Sequence, residues 1–582
     1  MKKYTADFET ATWTEFETWV WAWAVCEIGN EENIIIENNI ESFIEFCKNQ
    51  RNAVFYFHNL KFDSEFIMYY LLTNGYTHIT DRKEAKDKTF TTLISDSGSF
   101  YQLTIYFKKE DKKVIKATFI DSLKIIPFKV SEIAEAFGLQ EQKLEIDYNA
   151  ERGKNHLLTP EEKDYIKNDV VIVAKALNVL FGEGLEKMTQ GSNALHDFQK
   201  LLTKRTYKHY FPELDIELDS EIRKSYKGGF TYLNPIYKEV DVGSGVVLDI
   251  NSLYPSVMRF QKLPYDEPVY YVGKYQEDKV YDLYIQKIRC SFKLKENKLP
   301  TIQIKNRFEF KETEYLITSN DEIVTLTLTS IDLKLFFEQY DVTDLTFEEG
   351  WKFKSINGIF DTYIDKWVER KIKASKEGNK GQRTLSKLML NALYGKFATS
   401  LKAQSKIPYL ENGVVHYRLG EMETKKGLYI PIGAFITAYA REKTIRTSQA
   451  IKDYSLKTYG KDLYIYSDTD SIHTLLPIEE LKQFCEIDDV ELGKWKHESS
   501  FTRARFIRSK CYIEEIDDEL KITCAGLPPT CYKFVNWKNF KTGFKCKGKL
   551  TFTHIKGGVL LKETEFTIKT EEIKTAIARF KK

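Results

Sequence analysis

The chain has 582 residues, 42% of them hydrophobic and 14% aromatic, and a formal net charge of only +2. That length suits about three to five packed units, and the composition excludes a disordered chain. No uninterrupted apolar run approaches about 20 residues, so no membrane span is expected, and the opening MKKYTADFET lacks the apolar core of a signal peptide and reads as a first strand.

Residues 1–130 alternate strand-like and helical runs. YTADFE, VWAWAVCEI, AVFYFHNL, FTTLIS, FYQLTIYF and VIKATFIDSL are rich in β-branched and aromatic residues, while ESFIEFCKN and SEFIMYYLLTNG have helical spacing. Thr159-Pro160-Glu161-Glu162 predicts a helix start, with Thr159 as N-cap, Pro160 at the first position and Glu162 closing a capping box. That helix is expected to run through YIKNDVVIVAKALNVLFGEGLEKM. The mixture predicts a sheet flanked by helices. The Gly/Ser-containing stretch 189–193 is a candidate boundary. Farther on, GVVLDI (245–250) reads as a buried strand and LYIYSDTDSIHTLL as a hairpin with its tip at Ser467–Asp470. Between them, 261–359 has its own strands and turns and looks inserted. A helix is expected from about 361 to 395, a strand-rich insertion over 396–426, and another helix over PIGAFITAYAREKTIRTSQAI. The last fifty residues are basic and strand-like.

Charge is uneven along the chain. Residues 351–402 hold twelve Lys/Arg against four Asp/Glu, and 501–560 hold twelve against five. Two basic tracts in a neutral chain suit a phosphate-lined path. The eight cysteines show no CxxC pair, and free thiols in a reducing compartment are expected.

Asp249 ends an apolar strand, and Asp468 and Asp470 at a hairpin tip can reach the same site. Nucleotide transfer uses two Mg²⁺ ions about 3.5–4 Å apart, held by hard oxygen ligands. In QRTLSKLMLNALYGKF, Arg383, Lys387, Asn391 and Tyr394 fall on one helical stripe, with Leu385, Leu388, Met389 and Ala392 on the packed side. Two cations, an amide and an aromatic ring on one stripe suit a triphosphate and a base pair. In the N-terminal region, Asp7 and Glu9 share one strand face, Asp63 follows on a helix, and Tyr165 and Asp169 are one helical turn apart. Four carboxylates and a tyrosine can form a second two-metal site, for hydrolysis, with Tyr165 positioning the attacking water.

DxxSLYP, Kx3NALYG and YSDTDS, in this order, resemble the three polymerase motifs of family B DNA polymerases. YKGGF (226–230), Lys510-Cys511-Tyr512 and the two insertions resemble the protein-primed, phi-29-like phage branch. DxE, NxxxD and YxxxD resemble the three motifs of proofreading 3′–5′ exonucleases. The resemblance implies an α+β multi-domain chain: a ribonuclease H-like exonuclease (1–189), then a right-hand polymerase. Its palm would span 190–260 and 427–530, its fingers 360–395 and its thumb 531–582. Terminal-protein regions would occupy 261–359 and 396–426. It implies a protein-primed, template-directed DNA polymerase with proofreading, strand displacement and processivity, replicating a linear phage genome.

By this resemblance, Asp249 and Asp470 would hold Mg²⁺ (or Mn²⁺ in its place), with Asp468 beside them and the Ile250 carbonyl as a further ligand. Tyr254 would exclude a 2′ hydroxyl by steric clash. Lys371, Arg383 and Lys387 would contact the triphosphate, with Arg383 where close relatives carry Lys, keeping the charge but not the geometry. Tyr394 would pack on the nascent base pair. Tyr226, Gly228, Gly229, Lys510 and Tyr512 would contact DNA or the terminal protein. At the second site, His58, Asn59, Phe62, Ser122 and Leu123 would hold the frayed 3′ end, with Tyr148 near, and Lys143 would steady the scissile phosphate. Glu145 would add a metal-site carboxylate, a role for which Asp147 competes. Phe62, Phe66 and Tyr148 suit base stacking. The partners implied are template and primer DNA, dNTPs and a terminal protein, for a monomer in the host cytoplasm. The alternatives are a relative that starts without a protein primer, a degenerate DNA-binding subunit, and a stand-alone nuclease.

Overall fold

The structure is a computed structural model and describes residues 1–110, 113–148, 150–304 and 314–569. Parts of the first insertion (305–313) and of the C-terminal unit (570–582) lie outside the described residues. The N-terminal unit is built on eight strands: β1 (Lys3–Thr10), β2 (Val20–Glu27), β3 (Asn30–Glu37), β4 (Val54–Phe57), β5 (Thr77–His78), β6 (Thr89–Ile94), β7 (Phe100–Glu110) and β8 (Lys113–Asp121). They lie in the order β3-β2-β1-β4-β8-β7-β6-β5, with β1, β4 and β8 parallel at the centre. The helices α1 (Ile40–Asn49), α2 (Leu60–Thr73), α3 (Val130–Phe137) and α4 (Pro160–Gly182) flank it.

Alternation along β2 explains the two layers. Trp23 and Val25 enter a core with Phe8, Phe43, Phe55 and Phe66. The small Ala22, Ala24 and Cys26 face the other way and admit α4 through Tyr165, Ile166 and Val170. Burial on both faces is why β2 and β4 read as nearly continuous apolar runs.

The capping box at Thr159 forms as expected, but α4 stops at Gly182, because Gly184 turns into the left-handed region at φ +71°. β3 was not anticipated from NEENIIIE; it is a sheet edge, where charge is tolerated. The stretch 189–193 opens the helix Gln190–Lys200, with Thr189 as its N-cap.

A second sheet is wholly antiparallel, in the order Trp495–Phe501, Gly245–Ile250, Ser471–Thr474, Tyr464–Asp468, Thr231–Leu233. The 30-residue helix Ile430–Tyr459 packs against it. The expected single helix over 361–395 is broken into Asp361–Lys376, Lys380–Ala392 and Tyr394–Phe397. Gly378 takes φ +68°, and Asn379 caps the next helix by accepting from the Gln382 amide at 3.0 Å.

Residues 261–359 fold around their own core of Ile288, Phe292, Leu326, Phe336 and Tyr340, and carry an unanticipated helix, Ser330–Gln339. Residues 396–426 contain the hairpin Lys402–Glu411/Val414–Thr424, turned at Asn412-Gly413, both at positive φ. The C-terminal hairpin Lys545–Ile555/Gly558–Thr567 reaches back to the N-terminal unit. Its turn bonds Thr18 N–H to the Lys556 carbonyl at 2.8 Å, and a Cβ at Gly557 would collide with the Thr18 carbonyl. Beside it, the buried Glu65 of α2 accepts from Tyr417 Oη at 2.7 Å and lies 3.3 Å from His554 Nε2.

The expectation of free thiols needs correcting. Cys531 and Cys546 form a disulfide, their Cα atoms 6.1 Å apart across the C-terminal unit, while Cys26, Cys47, Cys290 and Cys485 are unbridged. Among the described residues no helix is long and apolar enough to cross a membrane.

Candidate active sites

The first site forms where β1, α2 and α4 meet. Glu9, Asp63 and Asp169 are 7%, 3% and 5% exposed, and Asp7 keeps a partial solvent face. Burial, then the Asp169 charge, pushes Asp7 up to about 7. Burial and the Asp7 charge hold Glu9 and Asp63 well above the carboxylate range. Burial also raises Asp169, although Lys143 Nζ opposes it from 2.7 Å. Burial alone would lower the Lys143 ammonium, but Asp169 and Asp7 outweigh it and hold it raised. Tyr165 is buried, and its hydroxyl lies 2.5 Å from that of the half-exposed Tyr148.

The wall of this site depends on Asp121, which no sequence motif marks. Its Oδ1 accepts from the amides of Asn59 (3.0 Å), Leu60 (3.3 Å) and Leu123 (3.1 Å). Those bonds fix the left-handed Asn59 at φ +76° and the start of α2. His58 is locked between Ser122 Oγ (3.0 Å) and the Phe128 carbonyl (2.6 Å), and burial lowers its basicity. Ser122 is fully buried and also donates to the Phe57 carbonyl, so it orients His58 rather than facing solvent.

Two placements depart from expectation. Phe66 is 1% exposed beneath Phe62 and the Gly558 turn, so it packs in the core and presents no stacking face. Glu145 stands exposed, outside the buried group, and Asp147 is exposed with its carbonyl bound by Arg152.

The second site lies on the antiparallel sheet. Asp249, next to last in its strand, lies opposite Ser471, and the Ile250 N–H donates to the Asp470 carbonyl at 2.8 Å, which locks the hairpin tip to that strand. Burial, then Asp470 and Glu498, push Asp249 up to about 7, while Lys496 and Lys387 pull it down. Burial raises Asp470 as well. Asp468 is otherwise engaged: both its oxygens lie 2.6–2.7 Å from Lys510 Nζ, and Tyr466 Oη and Thr231 Oγ1 donate to it.

The YKGG segment backs the hairpin. Thr469 N–H donates to the Phe230 carbonyl at 2.7 Å, and a Cβ on Gly229 would stand 2.5 Å from Thr469 Oγ1, so that position requires glycine. Arg441, paired to Asp332 in the interior, donates to the Lys227 and Gly228 carbonyls at 2.8 Å each. Tyr254 and Tyr394 stack with ring centroids 4.0 Å apart, and Tyr226 lies close enough to act on both hydroxyls. Tyr394 begins a new short helix after the break at Leu393, yet still joins the site. Arg383, Lys387 and Asn391 line the exposed face of their helix, over buried Leu385 and Met389. Lys371 lies close enough to Arg383 and Lys387 that, after burial, their charges lower it. Tyr512 packs among Phe506, Tyr466 and His473.

Both sites offer oxygen donors only, and Asp63 Oδ1 and Asp169 Oδ1 are buried without a hydrogen-bond partner, which suits a hard divalent cation. Among the described residues no three His, Cys, Asp or Glu side chains already form a metal cage. Lys143 and Lys510 each occupy one carboxylate of their site.

Known proteins match this architecture. The family model for DNA polymerase type B, organellar and viral, matches residues 44–162 and 142–481. The DNA polymerase of Bacillus phage M2 is 42% identical over 590 residues, covering 98% of this chain and 100% of the relative. That of Streptococcus phage Cp-1 is 32% identical, covering 97% and 98%. The solved structure of phi29 DNA polymerase with primer-template DNA and incoming nucleotide substrates superposes with a TM-score of 0.89 at 41% identity, covering 98% of this chain and all of that one.

Proposed function

The chain belongs to the organellar and viral type B DNA polymerases, alongside phi29-type phage enzymes, and from that premise we propose a protein-primed polymerase with 3′–5′ proofreading and strand displacement. The observation that carries the polymerase half is the meeting of Asp249 and Asp470 with the stacked Tyr254–Tyr394 pair and the Lys371–Arg383–Lys387 cations. In this reading the domain map is the one expected from the sequence, with terminal-protein regions at 261–359 and 396–426.

Polymerases of this family depend on metal. Asp249, Asp470 and the Ile250 carbonyl would hold Mg²⁺ at one site, and Asp7, Glu9, Asp63 and Asp169 at the other. The ion's chemistry is to polarise an attacking oxygen and offset phosphate charge. The protein supplies the rest. Lys510 neutralises Asp468 and brings Tyr512 to the primer strand. Tyr254, fixed under Tyr394, closes the space a 2′ hydroxyl would need. Tyr165 and Tyr148 hold a hydroxyl pair where an attacking water would be oriented. Asp121, through Asn59 and Leu123, sets the wall for a frayed 3′ end.

Primer extension on a nicked circle without accessory proteins tests the assignment. Long displaced product is expected from the wild type and none from Asp249→Ala. Priming is read separately, as transfer of label from dATP onto a partner protein. Extension that proceeds while no protein is ever labelled favours a relative that starts from nucleic acid.

A further inference from the structure

Lys496 belongs to none of the motifs that marked the polymerase site. It sits second in the strand Trp495–Phe501, where the register sets it directly opposite Asp249. Opposed residues of an antiparallel pair point to the same face, so the ammonium lies on the carboxylate side of the sheet. Its Nζ is 3.2 Å from Glu498 Oε2, and both side chains remain partly exposed. An ion pair this open adds little to stability, so the pairing alone gives no reason for the lysine to stand there.

Its surroundings give one. Lys496 is near enough to act on Asp249 and also on Lys371, which already faces Arg383 and Lys387. Three of these cations come from the helix pair Asp361–Lys376 and Lys380–Ala392, and the fourth comes from the sheet. Four like charges gathered around Lys371 repel one another, and a multivalent anion bound among them would relieve that repulsion.

We propose that Lys496 is a fourth binding cation for the triphosphate end of the incoming nucleotide, held ready by Glu498 and presented from the side of Asp249. The inference rests on the polymerase reading above. Polyphosphate is the chemistry recognised, and it has two sources: the triphosphate entering and the pyrophosphate leaving. Lys496 therefore acts on the forward reaction and on its reversal.

The test is single-nucleotide insertion and pyrophosphate-driven reversal, in an Asp7→Ala/Glu9→Ala background so that primers are not degraded. In Lys496→Gln the KM for dNTP is expected to rise about fivefold, a shift in the range of one partly solvated charge contact. The pyrophosphate needed for reversal should rise by a similar factor, while primer–template affinity and kcat stay near wild type. Lys496→Arg should restore most of the loss. Adding Glu498→Gln to Lys496→Gln should not restore it. Restoration by that second change would mean the lysine only restrains Glu498, and would overturn the proposal. A changed DNA affinity with unchanged KM would overturn it as well, by making Lys496 a strand contact, and so would an unchanged Lys496→Gln. Failure of the wild type to extend primers would instead defeat the polymerase reading itself.

Discussion

In the N-terminal sheet, Glu9, Asp63 and Asp169 are almost sealed from water, whereas Asp249, Asp468 and Asp470 on the second sheet all keep an open face. Each cluster nevertheless has one lysine on one carboxylate: Lys143 on Asp169 and Lys510 on Asp468. The difference lies in what else is close. At the deep site Lys143 touches Asp169 and Arg152 acts on Glu9 from farther off, yet the buried Asp63 Oδ1 and Asp169 Oδ1 have no hydrogen-bond partner. At the open site Lys496 and Lys387 also act on Asp249. Depth concentrates uncompensated negative charge on a bound cation, while openness leaves room for a second reactant that brings its own charge.

The strongest way to break this comparison is to remove each set of carboxylates. Asp249→Ala or Asp470→Ala should lower primer extension by about a thousandfold or more while sparing 3′ degradation, and Asp7→Ala with Glu9→Ala should do the reverse. A shared loss in gel assays of both activities would mean the two clusters do not work separately.

Next in size are the lysines. Lys143→Ala should slow 3′ degradation by about tenfold to a hundredfold, because among the described residues Lys143 alone is in salt-bridge contact with Asp169. Lys510→Ala should act mainly on primer affinity, seen as a raised KM for primer–template rather than a lost kcat.

pH sharpens the contrast. Asp7 and Asp249 both rise to about 7 in the folded protein from ordinary carboxylate values near 3.8. A raised folded value means the fold binds more protons than the unfolded chain, so the stability these groups contribute is present below about pH 4 and is lost as pH climbs through 7. The protein in chelator should therefore melt at a lower temperature at pH 8 than at pH 5.5, and added Mg²⁺ should recover more at pH 8. Asp7→Asn should flatten that slope more than Asp249→Asn, since Glu9 and Asp63 are raised along with Asp7. Equal flattening in calorimetry would remove depth as the cause.

The smallest expected effect is at the contact joining the N-terminal unit to the later hairpins. Tyr417→Phe removes the hydroxyl bond to Glu65 and should cost about 1–3 kcal/mol, measured by denaturant melts, because it leaves the buried Oε1 with His554 alone beside it.

The carboxylates, the stripe cations and the capped helix were legible in the sequence because each is a local pattern: a strand end, a hairpin tip, an i, i+4 spacing. Gly378-Asn379 held a legible stop and start signal, yet the apolar periodicity on either side hid it. Asp121, Lys496 and Glu65 carry no local mark. Asp121 matters through amides at Asn59 and Leu60, Lys496 through its register with Asp249, and Glu65 through Tyr417 and His554. Phe66 has the spacing of a helix residue beside the site, but the distant Gly558 turn decides that it is covered. The Cys531–Cys546 pair likewise depends on how the C-terminal unit folds back, which no cysteine spacing reveals.

The docking of the Lys556–Gly558 turn on Thr18 and Phe66 also bears on the order in which the chain is made. A growing chain folds its N-terminal domain first. Here the hairpin that covers Phe66 and flanks Glu65 is made long after them, so the sheet β1–β8 waits for a distant segment to complete its surface. Closing so long a loop is entropically slow rather than prohibitive. A fragment ending near residue 189 would expose the Phe66 face and a buried carboxylate to water. The N-terminal unit is thus separate in sequence but finished only by the hairpin Lys545–Ile555/Gly558–Thr567.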